Sequence, residues 1–302
     1  MTTVAGAAVV VGVDGSPRSM DAVEVAAAEA ARRRRPLRIV HAQARTAARE
    51  QPDEVRERAA ACLAEAVRMA GKVTSDIAVT TEVVAGRPAA ALTALSRHAS
   101  LLVVGDRGLG GLLFGSVPNH VASHADCPVL VVRGEPRTTG PVVVGVDGAG
   151  DSAGAVDVAL EEASLRDTSL VALHAWCGTD GTELTSSVAM RSGFRSGEAQ
   201  EERVLAEALA GAADRYPEVP VRRHVVRGDA GPLLADWSHL AQLVVVGERC
   251  HSGLAGLMLG SVSQHLIFHA DCPTTVVRAV PPAGRLGFSG SGSASSRPRL
   301  RV

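Results

Sequence analysis

A block of sequence returns at a fixed distance, and that repetition restricts the chain to two copies of one small fold. Val11-Gly12-Val13-Asp14-Gly15 reappears as Val144-Gly145-Val146-Asp147-Gly148, 133 residues on from Asp14 to Asp147, and His41-Ala42 reappears as His174-Ala175 at the same offset. Val103-Val104-Gly105 returns as Val245-Val246-Gly247, 142 residues on, so the second copy has gained about nine residues between. The gain falls in the polar stretch 178–200, which reads as a surface loop. Gly115-Ser116-Val117 and His124-Ala125-Asp126-Cys127-Pro128 return as Gly260-Ser261-Val262 and His269-Ala270-Asp271-Cys272-Pro273. Two related domains follow, over 1–136 and 137–280. Residues 281–302, rich in Gly, Ser, Pro and Arg, read as a flexible tail.

Within a copy, short valine-rich runs alternate with alanine-rich helical segments. In the first copy the spacing predicts strands near 7–13, 37–42, 77–84, 101–105 and 128–133, and helices near 19–34, 53–70, 88–99 and 116–125. Near-continuous apolar strands imply burial on both faces, as in a parallel sheet. The fold class expected is α/β: two tandem doubly wound domains, each a five-stranded parallel sheet ordered 3-2-1-4-5 with helices on both faces.

The charges nearly cancel, 31 basic against 32 acidic, and aromatic residues are scarce. Neither a field nor a stacking platform for nucleic acid is offered, so nucleic acid is not an expected partner. The five cysteines form no CxxC pair, which disfavours a disulfide framework or structural zinc and suits a reducing cytoplasm. The early apolar run 4–13 recurs internally, so it reads as a buried strand and not a targeting segment. No apolar stretch reaches membrane-spanning length.

In an open α/β sheet, ligands bind beyond the carboxyl ends of the strands where strand order reverses. Two loops suit that place. The first strand ends in Asp14-Gly15-Ser16, and in Asp147-Gly148 in the second copy. The fourth runs into Gly105-Asp106-Arg107-Gly108-Leu109-Gly110-Gly111, followed by Gly115-Ser116 at a helix start. Glycines let backbone amides approach phosphate oxygens, and a helix N-terminus adds a favourable dipole. Glycines also end strands and start turns; it is the doubled placement at one sheet end that gives the motif weight.

These motifs together resemble the universal stress protein family: Gly-x2-Gly-x9-Gly-Ser/Thr after the fourth strand, an aspartate ending the first, and a close like His124-Ala125-Asp126-Cys127-Pro128-Val129-Leu130-Val131-Val132. The resemblance covers about 7–133 and 142–278. It implies ATP binding, with magnesium, by Gly12, Asp14, Val40, Gly105, Arg107, Gly108, Gly110, Gly111, Gly115, Ser116 and Val117. In the second copy it implies Gly145, Asp147, Gly247, Arg249, Gly253, Gly260, Ser261 and Val262. It also implies pairing of the domains through their last strands, 129–133 and 274–278, as an intramolecular pseudo-dimer, with a homodimer left open.

Both copies depart from the pattern. The first has six residues, 109–114, where the family has nine, which removes up to ~10 Å of chain reach. The second has the full nine, 251–259, but Cys250 replaces the second glycine, at about 1–2 kcal/mol if the backbone there is left-handed. The second copy is therefore expected to be the better site.

Sharper alternatives give way to plainer ones. Arg32-Arg33-Arg34-Arg35 closes a helix, where cations suit the dipole. His120/His124 and His265/His269 have metal-like i,i+4 spacing, yet no third ligand is evident, so helix capping and packing is expected. Cys250-His251 lacks an orienting acid; Cys127 and Cys272 read as small buried residues. No Walker lysine or general base for water attack is evident, and Asp106 and Glu248 are the only convenient carboxylates for hydrolysis. The expected class is an ATP-binding regulator in stress response with at most slow ATPase activity and an unidentified protein partner. The rival class is a nucleotide-free interaction scaffold of the same fold.

Overall fold

A computed structural model describes residues 7–43, 52–106, 116–148, 152–177, 187–211, 213–248 and 259–278. The first copy comprises β1 (Ala8–Val13), α1 (Pro17–Arg32), β2 (Leu37–Gln43), α2 (Pro52–Val73), β3 (Val79–Ala85), α3 (Pro88–Ser96), β4 (Ala99–Gly105), α4 (Ser116–His124) and β5 (Val129–Val132). The second repeats the series as β6 (Val142–Val146), α5 (Ala153–Leu165), β7 (Leu170–Trp176), α6 (Ser187–Leu209), β8 (Val221–Arg227), α7 (Ala230–Ser238), β9 (Leu243–Gly247), α8 (Ser261–His269) and β10 (Thr274–Val277).

Local sequence accounts for the elements. Ser16 caps α1 by accepting from the Ser19 amide, Pro17 follows at the first helical position, and Ala22, Val23, Ala26, Ala27 and Ala30 form its buried stripe. The inner strands are buried on both faces, while the edge strands β3 and β8 are partly exposed. Val9 and Val11 face α1 and α2, whereas Val10, with Leu102 and Val104 of β4, belongs to the layer beneath α3 and α4.

The strands form one ten-stranded sheet in the order β3-β2-β1-β4-β5-β10-β9-β6-β7-β8. Each half is parallel with the expected 3-2-1-4-5 order. The halves join where β5 and β10 pair antiparallel, Val131 opposite Thr274 and Val129 opposite Val276. The domains are thus joined through their last strands, with a pseudo-two-fold axis at the seam.

Two features went unforeseen at the sequence level. The stretch 178–200 is not simply a surface loop, because α6 begins at Ser187 and runs to Leu209. Its serines and glycines argue for a loop by propensity, but Leu205 and Leu209 bury against the sheet and tertiary packing prevails. Residues 178–186, like the tail 281–302, lie outside the described residues.

The second feature is a reciprocal ion network across the axis. Arg33 pairs with Glu29 and Glu162, and Arg166 pairs with Glu162 and Glu29; both carboxylates are at most 2 % exposed. The linker is equally tight. A Cβ at Gly134 (φ +64°) would lie 2.1 Å from the Asp271 carbonyl oxygen, so only glycine lets the chain cross there.

Candidate functional site

The crevice of a doubly wound domain lies between its first and fourth strands, and the strand-end residues Asp14 and Gly105, and Asp147 and Gly247, border it in the two copies. In β1, Val11 pairs with Val103 of β4, so Asp14 and Gly105 follow at adjacent strand ends. In β6, Val144 pairs with Val245 of β9, which sets Asp147 beside the end at Gly247.

The turns after β1 and β6 are built alike and differ in one bond. Gly15 (φ +86°) and Gly148 (φ +73°) both take the left-handed backbone that favours glycine. Asp14 Oδ1 accepts from the Ser16 amide at 2.9 Å, whereas Asp147 Oδ1 accepts from Ser152 Oγ at 2.5 Å. His41 Nδ1 donates to the Val13 carbonyl at 3.0 Å, as His174 Nδ1 does to Val146 at 2.7 Å. The second nitrogen of His174 lies 2.8 Å from Glu201 on α6. In the first copy Cys62 of α2 lies beside Gly15, as Val204 of α6 lies beside Gly148, and burial, then the Asp14 charge, pushes the Cys62 thiol pKa up.

A Cβ at Gly105 would lie 2.7 Å from the Arg18 carbonyl oxygen, so the close approach of α1 requires glycine there. Among the described residues nothing lies within 4 Å of a Cβ at Gly247; Asp151, the counterpart of Arg18, lies outside them. The N-terminus of α8 adjoins Gly247, since Ser263 Oγ donates to the Gly247 carbonyl at 2.6 Å. Gly260 caps α8 without a side chain, and its own amide donates to the Glu248 carbonyl at 2.9 Å. Ser261 is exposed at the first helical position and Val262 half-buried behind it. In the first copy α4 starts at Ser116, with Val117 half-buried in its first turn.

Gly12, Gly145 and Val40 lie at mid-strand and touch the core. Cβ atoms at Gly12 and Gly145 would press on Leu92 (2.7 Å) and Leu234 (2.8 Å). Val40 pairs with Gly12 and is fully buried. Arg107, Gly108, Gly110, Gly111 and Gly115 of the first glycine loop, and Arg249, Cys250, His251 and Gly253 of the second, lie outside the described residues.

The two carboxylates weighed for hydrolysis are both engaged by arginines. Asp106 Oδ2 accepts from Arg133 Nη1 at 3.0 Å, and Arg18 Nε lies 3.7 Å from its other oxygen. Glu248 lies 3.5 Å from Arg278 Nε. Sequence reasoning missed both arginines; their signal was the recurrence of one residue just past each final strand, at 133 and 278.

The histidine pairs behave as packing groups. His124 Nδ1 donates to the His120 carbonyl at 2.9 Å, and the rings of each pair lie 4.4 Å apart. Among the described residues no group of three or more His, Cys, Asp or Glu is placed to hold a metal ion. No helix among them is long and apolar enough to cross a membrane.

Fold and topology define a tandem pair of doubly wound α/β domains, each with a crevice at its topological switch point. The model of the universal stress protein family matches residues 7–133 and 138–278, and the chain belongs to that family. It is 37 % identical over 299 residues to universal stress protein MT2052 of Mycobacterium tuberculosis, covering 89 % of this chain and 94 % of that one. It is also 37 % identical over 293 residues to universal stress protein Rv2623 of the same species, covering 89 % and 96 %. Among solved structures, a universal stress protein from Archaeoglobus fulgidus superposes with a TM-score of 0.66 at 17 % identity, covering 90 % of this chain and 96 % of that one. That likeness concerns the fold.

Proposed function

We propose that the protein is a cytoplasmic ATP-binding regulator, in which nucleotide with magnesium occupies one or both crevices and biases conformation or partner choice. The observation that carries this reading is the meeting at one crevice of the strand ends at Asp147 and Gly247 with the N-terminus of α8, which Ser263 ties to the Gly247 carbonyl. Helix-terminal amides and their dipole attract phosphate. Magnesium would arrive on the phosphates, since it keeps several waters and needs few protein ligands.

Binding without rapid turnover fits the carboxylates. Asp106 and Glu248 are held by Arg133 and Arg278 toward the seam, which leaves neither set up to align a water. The second copy is the stronger site in this reading, because the first copy has only six residues, 109–114, before its Gly-Ser, where the second has nine, 251–259.

Calorimetric titration with magnesium-ATP tests the proposal; neither heat nor displacement of labelled ATP at millimolar nucleotide would refute it. Gly260→Asp with Ser261→Ala should weaken ATP more than Gly115→Asp with Ser116→Ala. Cys250→Gly should tighten binding by up to ~1–2 kcal/mol. Loss of all binding from the first-copy pair alone would reverse the ranking.

A further inference from the structure

Arg133 follows β5 and reaches in two directions. Its Nη1 donates to Asp106 Oδ2 at 3.0 Å, holding the first residue after β4 in its own copy. Its Nε donates to the carbonyl of Ala270 at 3.0 Å, in the other copy. Ala270 caps the C-terminus of α8, and its amide closes the last turn on Leu266 at 2.9 Å. The far end of α8 is the Gly260-Ser261 start beside Gly247.

Arg278 follows β10 and mirrors this arrangement. Its Nε lies 3.5 Å from Glu248, the first residue after β9. Its Nη1 lies 3.5 Å from the His124 carbonyl, at the C-terminal end of α4, and 3.5 Å from Asp126. The loop roots are joined to their neighbours by backbone as well: Asp106 N donates to Val132 O and Glu248 N to Val277 O.

Each arginine therefore ties the root of its own glycine loop to the far end of the helix that starts at the other crevice. A helix moves as a rigid rod over two or three turns, so a shift at one end is felt at the other. A guanidinium offers donors in a fixed fork, so it can hold two acceptors in one geometry, which a lysine ammonium on a flexible stem does not. We infer that Arg133 and Arg278 are positioning residues that couple the two crevices, so that occupancy of one alters the helix serving the other. The Arg133 arm, with two bonds at 3.0 Å, is the tighter of the two. The inference rests on the nucleotide reading for its ligand, but the mechanical link can be measured without one.

The ligand-free test is a double-mutant cycle on the full chain, read by amide exchange at 266–270. Asp106→Asn makes no change in the second copy, yet it should speed exchange there by ~3–10-fold, the size of typical coupling between sites. In an Arg133→Gln or Arg133→Lys background, Asp106→Asn should add nothing further at 266–270. A merely structural Arg133 would give additive effects, which would overturn the proposal. The ligand-bound arm uses magnesium-ATP on Gly260→Asp, in which only the first crevice can fill. Slower exchange at 266–270 is expected, and its persistence in the Arg133→Gln background would also overturn the coupling. If ATP protects nothing while the cycle is non-additive, the nucleotide reading fails and the link stands. If ATP protects the crevices while the cycle is additive, the link fails alone.

Discussion

A methyl group at Gly105 would lie 2.7 Å from a backbone oxygen of α1. Backbone cannot yield as a flexible side chain can, so Gly105→Ala should destabilise the first copy by about 1–3 kcal/mol, as overpacking does. An unchanged denaturant midpoint would contradict the geometry. The sequence shows only Val-Val-Gly at this place; the need for glycine arises from how closely α1 approaches, which no local motif encodes. At the seam, the Thr275 hydroxyl is fully buried and finds no hydrogen-bond partner among the described residues. An unsatisfied buried hydroxyl costs roughly 1–3 kcal/mol, and valine has nearly its shape. Thr275→Val is therefore expected to raise stability by about 1 kcal/mol in chemical denaturation, and a loss would show that the hydroxyl has a partner.

Among the elements, the strands were the most legible in the sequence, because continuous valine runs are what strands buried on both faces of a parallel sheet require, although β5 and β10 also pair antiparallel at the seam. The helix α6 was the least legible. Its serines and glycines speak for a loop, and only Leu205 and Leu209, spaced a turn apart, speak for a buried face. It is anchored by one bond that α2 cannot make. Glu201 meets His174 at 2.8 Å, while the place of Glu201 in the first copy is taken by Ala59. His174 already donates from Nδ1 to a carbonyl, so Glu201 is held by the other nitrogen. Hydrogen bonds to charged groups contribute about 1.5–3 kcal/mol. Glu201→Ala should accordingly speed amide exchange over 201–209 while leaving α2 untouched; unchanged exchange in α6 would show the bond to be incidental. The glycine loops, the most telling part of the sequence for function, are legible as composition only, and 107–115 and 249–258 lie outside the described residues.

Across the whole molecule, what holds the two copies in register is the antiparallel β5–β10 pair together with the Glu29–Arg33–Glu162–Arg166 network. Read along one helix, the arginine run looks like a C-terminal cap. Its reciprocal partner is 133 residues away, and Glu29 with Arg33 recurs as Glu162 with Arg166 at that offset, a signal visible only when charges are compared between copies. Burial raises the pKa of Glu29, but Arg166, Arg33 and Arg32 more than offset it and hold it below the usual carboxylate value. Burial, and then the Glu29 charge, pushes Glu162 up despite Arg166 and Arg33. The linkage follows from these directions. Glu29 contributes stability that is present above its unfolded-state pKa and lost as pH falls through its lowered folded value; Glu162 opposes this, being favoured in its neutral form. Removing one member of a buried pair leaves an uncompensated charge and costs about 3–5 kcal/mol. Glu29→Gln should therefore lose about that much at neutral pH, with the gap to the parent protein narrowing as pH falls through the lowered folded value of Glu29. Denaturant unfolding as a function of pH measures it. A gap that stays constant with pH would mean that packing around Glu29, and not its charge, holds the seam.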